Sequence, residues 1–190
     1  MKPRDDKKIE LIFSATLKLV VERGVAGITM RQIAKEAGIA TGTLYIYFKD
    51  KVVLINALFE DCRKSSATTY FKGYKEEDSF KTGFRKIWDN IFTHRLDHFE
   101  EAIFLEQSYH SPYITESQKE MSLRLLKPFY TLIERGKKEK AIKELDTFLL
   151  LIFMVGSITE VIKYAKYNNK KITADIREDV FGICWGGLKK

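Results

Sequence analysis

The sequence predicts an all-α fold. Three observations carry that reading. Apolar residues return every three or four positions through most of the chain, the spacing of one buried helix face. Three prolines and eleven glycines in 190 residues leave too few turns for an all-β fold. Hydrophobic residues make up 45% and charged residues 31%, enough apolar matter to build a core rather than a disordered chain.

The first helix is defined by Ile9, Ile12, Phe13, Leu17, Val20 and Val21, with charges on the opposite face, and Gly24 supplies its left-handed end. Thr29 followed by Gln32 is a capping-box pattern that opens a second helix over about 30–37, stopped by Gly38. "TLYIYF" alternates like a strand. It is short and lacks a partner hairpin, so a third helix over about 41–47 is expected. Asp50 then caps a fourth helix from Lys51, with Val53, Leu54, Ala57, Leu58 and Cys62 inward.

The polar segment 72–79, "KGYKEEDS", is the expected domain boundary. Beyond it Phe80, Phe84, Ile87, Trp88, Ile91 and Phe92 form an apolar stripe. "HSPYIT" breaks the chain near Pro112. A long helix is expected over about 115–138, with Pro128 as a kink. Two more helices are expected over about 145–167 and 176–188. The resulting division is 1–50, 51–75 as connecting helix and linker, and 76–190.

The net charge is +7, and its distribution is uneven. Residues 1–75 hold 14 Lys and Arg against 8 Asp and Glu, and residues 76–190 hold 19 against 18. The excess therefore lies in the N-terminal part, which points a polyanionic partner there. Cys62 and Cys184 are far apart, without CxxC spacing, and read as reduced core residues of an intracellular protein. "MKPRDDKK" lacks the apolar stretch of a signal peptide, and the apolar run 148–156 is too short to span a bilayer. A cytoplasmic protein without membrane association is expected.

Two short helices joined at a glycine, resting on an amphipathic helix, form a helix-turn-helix, whose second helix enters the DNA major groove. Thr41, Gly42 and Thr43 sit at the N-terminal end of that helix, closest to base edges. Small hydroxyls there can bond several bases or touch a thymine methyl. Gly42 weakens the helix but lets the backbone approach closely. Tyr45 and Tyr47 reach flanking phosphates, and Lys51 stands at a positive helix start. Leu44 and Phe48 face inward, while Ile46 fits either core or DNA surface. The bland alternatives are core aromatics for the two tyrosines, a solvated charge for Arg31, and a frayed terminus for Lys2, Arg4, Lys7 and Lys8. The last four also fit a minor-groove or phosphate arm.

The stretch "ITMRQIAKEAGIATGTLYIYFKDKVVLINALFE" resembles the DNA-binding domain of TetR-family transcriptional regulators. The resemblance covers residues 9–60 and rests on Thr29, Arg31, Ile33, Ala34, Ala37, Gly38, Gly42, Leu44, Tyr45, Tyr47, Phe48 and Lys51. It implies an all-α homodimer of about nine helices per chain, with a larger C-terminal ligand-binding and dimerisation domain. It also implies repression at a palindromic double-stranded operator, relieved by a small-molecule effector. Thr29, Tyr45, Tyr47 and Lys51 match phosphate-contacting positions. Arg31, Thr41, Gly42 and Thr43 match positions near bases. Residues 76–190 resemble the family in helical layout only, which carries a fold and no ligand.

Sixteen aromatics lie beyond residue 75, against eight before it. They suit a pocket between helices and equally a plain core. The candidate ligand-binding set is Trp88, Phe92, Phe104, Gln107, Tyr109, Phe129 and Phe153. Gln107 and Tyr109 could instead satisfy backbone where a helix ends. His94 and His98 have i, i+4 spacing but no HExxH pattern, so no metal and no cofactor is expected. With no phosphate loop, nucleophile elbow or supported carboxylate pair, the chain is not expected to be an enzyme. Gly156, Gly182 and Gly186 would let helices of two copies approach, with Leu149, Ile152 and Ile183 burying an isologous contact. Competing readings are a DNA-bound adaptor controlled by a protein partner, and a helical binding protein that has lost DNA binding. The full set of Thr29, Tyr45, Tyr47 and Lys51 disfavours the latter.

Overall fold

A computed structural model describes residues 6–190. Lys2 and Arg4 of the basic N-terminal cluster lie outside the described residues. Ten helices follow in order: α1 Asp6–Arg23, α2 Met30–Glu36, α3 Thr41–Tyr47, α4 Lys51–Tyr70, α5 Phe80–Asp97, α6 Phe99–Tyr109, α7 Glu116–Leu125, α8 Lys127–Lys138, α9 Thr147–Tyr167 and α10 Ala174–Leu188. The only extended pairing among the described residues is an isolated antiparallel bridge between Ile142 and Lys189. The fold is all-α, as the sequence predicts. The described chain divides into two units, residues up to 65 with 98–124, and residues 66–97 with 125–190.

In the first unit, α1 buries Ile12, Ala15, Thr16, Leu19 and Val20, positions that return once per turn. Thr16 is fully buried among them because its hydroxyl donates to the Ile12 carbonyl at 2.7 Å. α2 opens on the expected box: the Thr29 hydroxyl accepts from Gln32 N at 3.3 Å, and Gln32 Oε1 accepts from Thr29 N at 2.8 Å. Gly38 ends the turn at φ +67°, where a side chain would be strained. Asp50 caps α4, its carboxylate accepting from Val53 N at 2.8 Å.

Residues 98–124 were expected with the C-terminal part. They pack instead with the N-terminal helices, because Phe104, Leu105 and Ile114 complete the core around Ile12, Leu44, Leu54 and Phe59. Gln107 Oε1 accepts from Val25 N at 3.2 Å and satisfies the turn after α1. Phe104 is wholly buried. Phe104→Ala is expected to cost ~3–5 kcal/mol of stability, read from the denaturant midpoint, since transfer and cavity terms both act.

In the second unit α5 packs on α8 and α9, and α9 on α10. Phe84, Trp88, Phe181 and Trp185 form an aromatic cluster, with Trp88 edge-on to Phe181 at 5.2 Å and Phe181 stacked on Trp185 at 6.4 Å. Gly136 is required by close approach, since any Cβ there would fall on the Phe80 ring. The helix expected over 115–138 is broken rather than kinked. α7 stops at Leu125, Leu126 leaves helical geometry, and Pro128 sits at the start of α8, where its missing N–H costs nothing. His94 and His98 do not share a helix face: α5 ends between them, His94 is buried edge-on to Tyr70, and His98 pairs with Glu101 across 3.1 Å. Cys62 and Cys184 are free and buried. Burial pushes the Cys184 thiol up to about 11 and raises that of Cys62, with Glu101 and Asp61 adding to the latter. α9 is long and apolar enough to cross a bilayer by length and composition, but it buries Leu150, Leu151, Met154, Ile158 and Ile162 within the unit.

Candidate nucleic-acid interface

Helix α3 (Thr41–Tyr47) carries the candidate residues Thr41, Gly42, Thr43, Tyr45 and Tyr47. Leu44 and Phe48 are buried against Ile33 and Ala34, and Phe48 also packs on Phe13 with ring centroids 5.9 Å apart. These anchors fix the rotation of α3. Gly42, Tyr45 and Ile46 face outward, and Thr41 and Thr43 are half-buried beside them. Ile46 is 82% exposed, so of its two expected placements the outer surface is the one found.

Gly42 has no structural reason within the molecule. Its φ is ordinary, and a Cβ built on it meets nothing within 4 Å. A glycine inside a seven-residue helix costs stability without return from the fold itself.

The flanking residues divide by how far they are already engaged. Arg31 is exposed at the first turn of α2 and makes no ion pair among the described residues. Tyr45 is exposed and Tyr47 half-buried. The Thr29 hydroxyl donates to Gln32 Oε1 at 2.9 Å, so its proton is held inside the capping box. The side-chain N–H groups of Gln32 have no acceptor among the described residues, which adds a donor that periodicity did not single out.

Lys51 is tethered. Its ammonium donates to the Ala26 carbonyl at 3.2 Å and to the Tyr113 hydroxyl at 3.3 Å, and lies 4.5 Å from the centre of the Tyr113 ring. Tyr113 is held in turn, since Asn56 donates to its carbonyl at 2.7 Å and accepts from Thr115 N at 3.2 Å. One ammonium proton remains for an outside acceptor. No sequence signal marks Tyr113, because its partner is 62 positions away. Tyr113→Phe keeps the ring and removes the acceptor. Binding to any duplex is expected to weaken about two- to fivefold in a fluorescence-anisotropy titration, less than for Lys51→Ala.

The candidate ligand residues fall in both units. Trp88, Phe92 and Phe129 are buried in the second, with Trp88 and Phe92 centroids 5.1 Å apart, whereas Phe153 is 46% exposed. Phe104 lies in the core of the first unit, Tyr109 lies 6.4 Å from Phe59, and Gln107 is engaged with Val25. On α5, Lys81, Thr82, Arg85, Lys86 and Asp89 line an open groove of about 450 Å³. Its Arg85 is bound by Asp89 at 2.7 Å and by Glu178, and Lys86 by Asp78 at 3.1 Å. Its charges are thus largely matched. Of the candidate dimer residues, Leu149, Ile152 and Ile183 are 54%, 53% and 72% exposed. Gly156, Gly182 and Gly186 have open space where a Cβ would stand.

A helix-turn-helix with a buried anchor face and an outward face carrying Gly42, Tyr45 and Ile46 is the arrangement found in DNA-binding regulators. Residues 12–58 match the family described as "Bacterial regulatory proteins, tetR family", and residues 59–190 match "Tetracyclin repressor-like, C-terminal domain". The chain belongs to the TetR family of transcriptional regulators. A TetR-family transcription regulator from Marinobacter aquaeolei superimposes with a TM-score of 0.87 at 25% identity, covering 100% of both chains. An uncharacterised HTH-type transcriptional regulator of Haemophilus influenzae is 25% identical over 181 residues, 95% of each chain. The regulator FadR of Bacillus subtilis, solved with stearoyl-CoA, shares the fold with a TM-score of 0.67 at 21% identity, over 94% of this chain and 98% of that one.

Proposed function

We propose that the protein is a cytoplasmic repressor that binds a palindromic operator as a homodimer and leaves it when a small apolar or amphipathic effector binds. Residues 1–50 are the DNA-binding domain, 51–75 the connection, and 76–190, apart from the segment 98–124 that packs with the first unit, the effector-binding and dimerisation part. Thr41, Gly42, Thr43 and Arg31 approach bases, and Thr29, Tyr45, Tyr47 and Lys51 hold phosphates. The outward face of α3, with a glycine the fold does not need, carries this reading. The effector half is supported by the aromatic faces of α5 and α10, and by FadR, which holds an amphipathic ligand in the same fold.

The test is selection of bound duplexes from a random pool, followed by a salt titration of the winner. A two-fold symmetric site is expected, with affinity falling by about 0.9 log unit per log unit of salt for each phosphate contacted. Lys51→Ala should reduce that slope by about one and weaken all sequences alike, because phosphates carry no sequence. A change in the preferred sequence, with the slope intact, would move Lys51 from backbone to base.

A further inference from the structure

The arginines of the second unit are matched by acids or carbonyls, with one exception. Arg85 binds Asp89 and Glu178, and Arg177 binds Asp89. Arg135 binds the backbone carbonyls of Glu76 and Asp78 and the Glu139 carboxylate. All three are partly exposed. Arg95 is only 8% exposed and has no carboxylate partner among the described residues. Its Nη1 donates to Thr159 Oγ1 at 2.8 Å, bridging α5 to α9. The Thr159 proton is spent on the Val155 carbonyl at 2.8 Å, so Thr159 is a neutral acceptor and nothing more. The buried Arg95 Nε has no acceptor among the described residues.

A guanidinium cannot shed its charge by losing a proton, and a buried charge without a counter-charge is costly. Arg95 stands in the last turn of α5, whose C-terminus supplies only about half of one negative charge. A full cation therefore remains about half compensated, with its buried Nε–H unmet. Trp88, Phe92 and Arg95 stand at i, i+4 and i+7 and share a face of α5. An apolar chain along that face would bring its head group to the guanidinium.

We infer that Arg95 and Thr159 form the head-group site of the effector, and that the effector is an amphipathic oxyanion, a carboxylate or phosphate on an apolar chain. This rests on the reading that the second unit binds a small amphipathic effector. The oxyanion supplies the missing counter-charge and accepts from Nε, and the planar fork of arginine suits either head group.

The test uses the full chain with dodecanoate, hexadecanoate, dodecyl phosphate and dodecan-1-ol, below their aggregation limits. Binding is read from the fluorescence of Trp88 and Trp185 and from the thermal midpoint. The wild type should bind at least one anion about tenfold or more tightly than the alcohol, and the preferred head group separates carboxylate from phosphate. Arg95→Met should remove that preference while leaving alcohol affinity within about twofold. Arg95→Lys should retain part of it. Should Arg95→Met not fold, Thr159→Val carries the test and should weaken only the anions, severalfold. Equal affinity of acid and alcohol for the wild type, or variants that weaken both alike, overturns the head-group site and leaves an apolar effector standing. No binding of any of the four removes the apolar-effector reading and this site with it.

Discussion

Ile183→Lys is expected to convert the protein from dimer to monomer and to weaken operator binding by about 10²–10⁴-fold. The first link is exposure. Leu149, Ile152 and Phe153 on α9, and Ile183 on α10, are each between 46% and 72% exposed in the single chain. On α9 residues 149, 152, 153 and 156 follow one helix face, with Gly156 offering close approach. A concentration of large apolar side chains on two packed helices marks an interaction surface. The second link is symmetry. In an isologous contact every residue occurs twice, so one substitution introduces two buried ammonium groups. The third link is DNA. A monomer reads one half-site and loses the gain in effective concentration that a second attached half provides. Ile183 touches little of its own chain, so the unfolding midpoint of the monomer should barely move. Sedimentation equilibrium and anisotropy on the selected duplex read both halves of the claim. A variant that stays dimeric with full DNA affinity places the dimer contact elsewhere.

What could be read from the sequence was set by range. α2, α3 and the start of α4 follow from signals within four residues of each boundary: the Thr29–Gln32 box, Gly38 with its positive φ, and the Asp50 cap. The inward faces of α1 and α3 follow from periodicity alone. The placement of α6 could not be read this way. Phe104 and Leu105 look like any apolar pair, and only their fit against Ile12 and Leu54 assigns them to the first unit. The break at His98 was equally hidden, because the apolar stripe of α5 runs on into Phe99 and Ile103 without an interrupting glycine or proline. No spacing signal marks Arg95, yet the α5–α9 contact buries it. Tyr113 acquired its place beside Lys51 through a bond that no spacing rule encodes.

Gly42 offers the sharpest separation of folding from recognition. Its substitution by Ala should leave the free protein as stable as before, or more stable by up to about 1 kcal/mol, because Ala is the better helix former and its Cβ meets no atom within 4 Å. On the proposed placement of α3 in the groove, the same methyl should weaken operator binding by about tenfold, because it would fall where the backbone comes closest to base edges. Gly42→Leu extends the series. A branched side chain at that point forces α3 away from the groove floor, with a strain of ~1–3 kcal/mol of the kind overpacking produces, plus the loss of hydrogen bonds from Thr41 and Thr43. Affinity should then fall by more than about a hundredfold, and the remaining binding should lose sequence preference before it loses salt dependence, since Lys51 and the tyrosines still reach phosphates. Thermal denaturation of the free protein and anisotropy on selected and scrambled duplexes give the four numbers needed. Opposite signs for stability and affinity identify a glycine kept for the partner. If Gly42→Ala instead lowers the thermal midpoint and leaves affinity unchanged, the glycine belongs to the fold, and the outward face of α3 is not the surface that reads DNA.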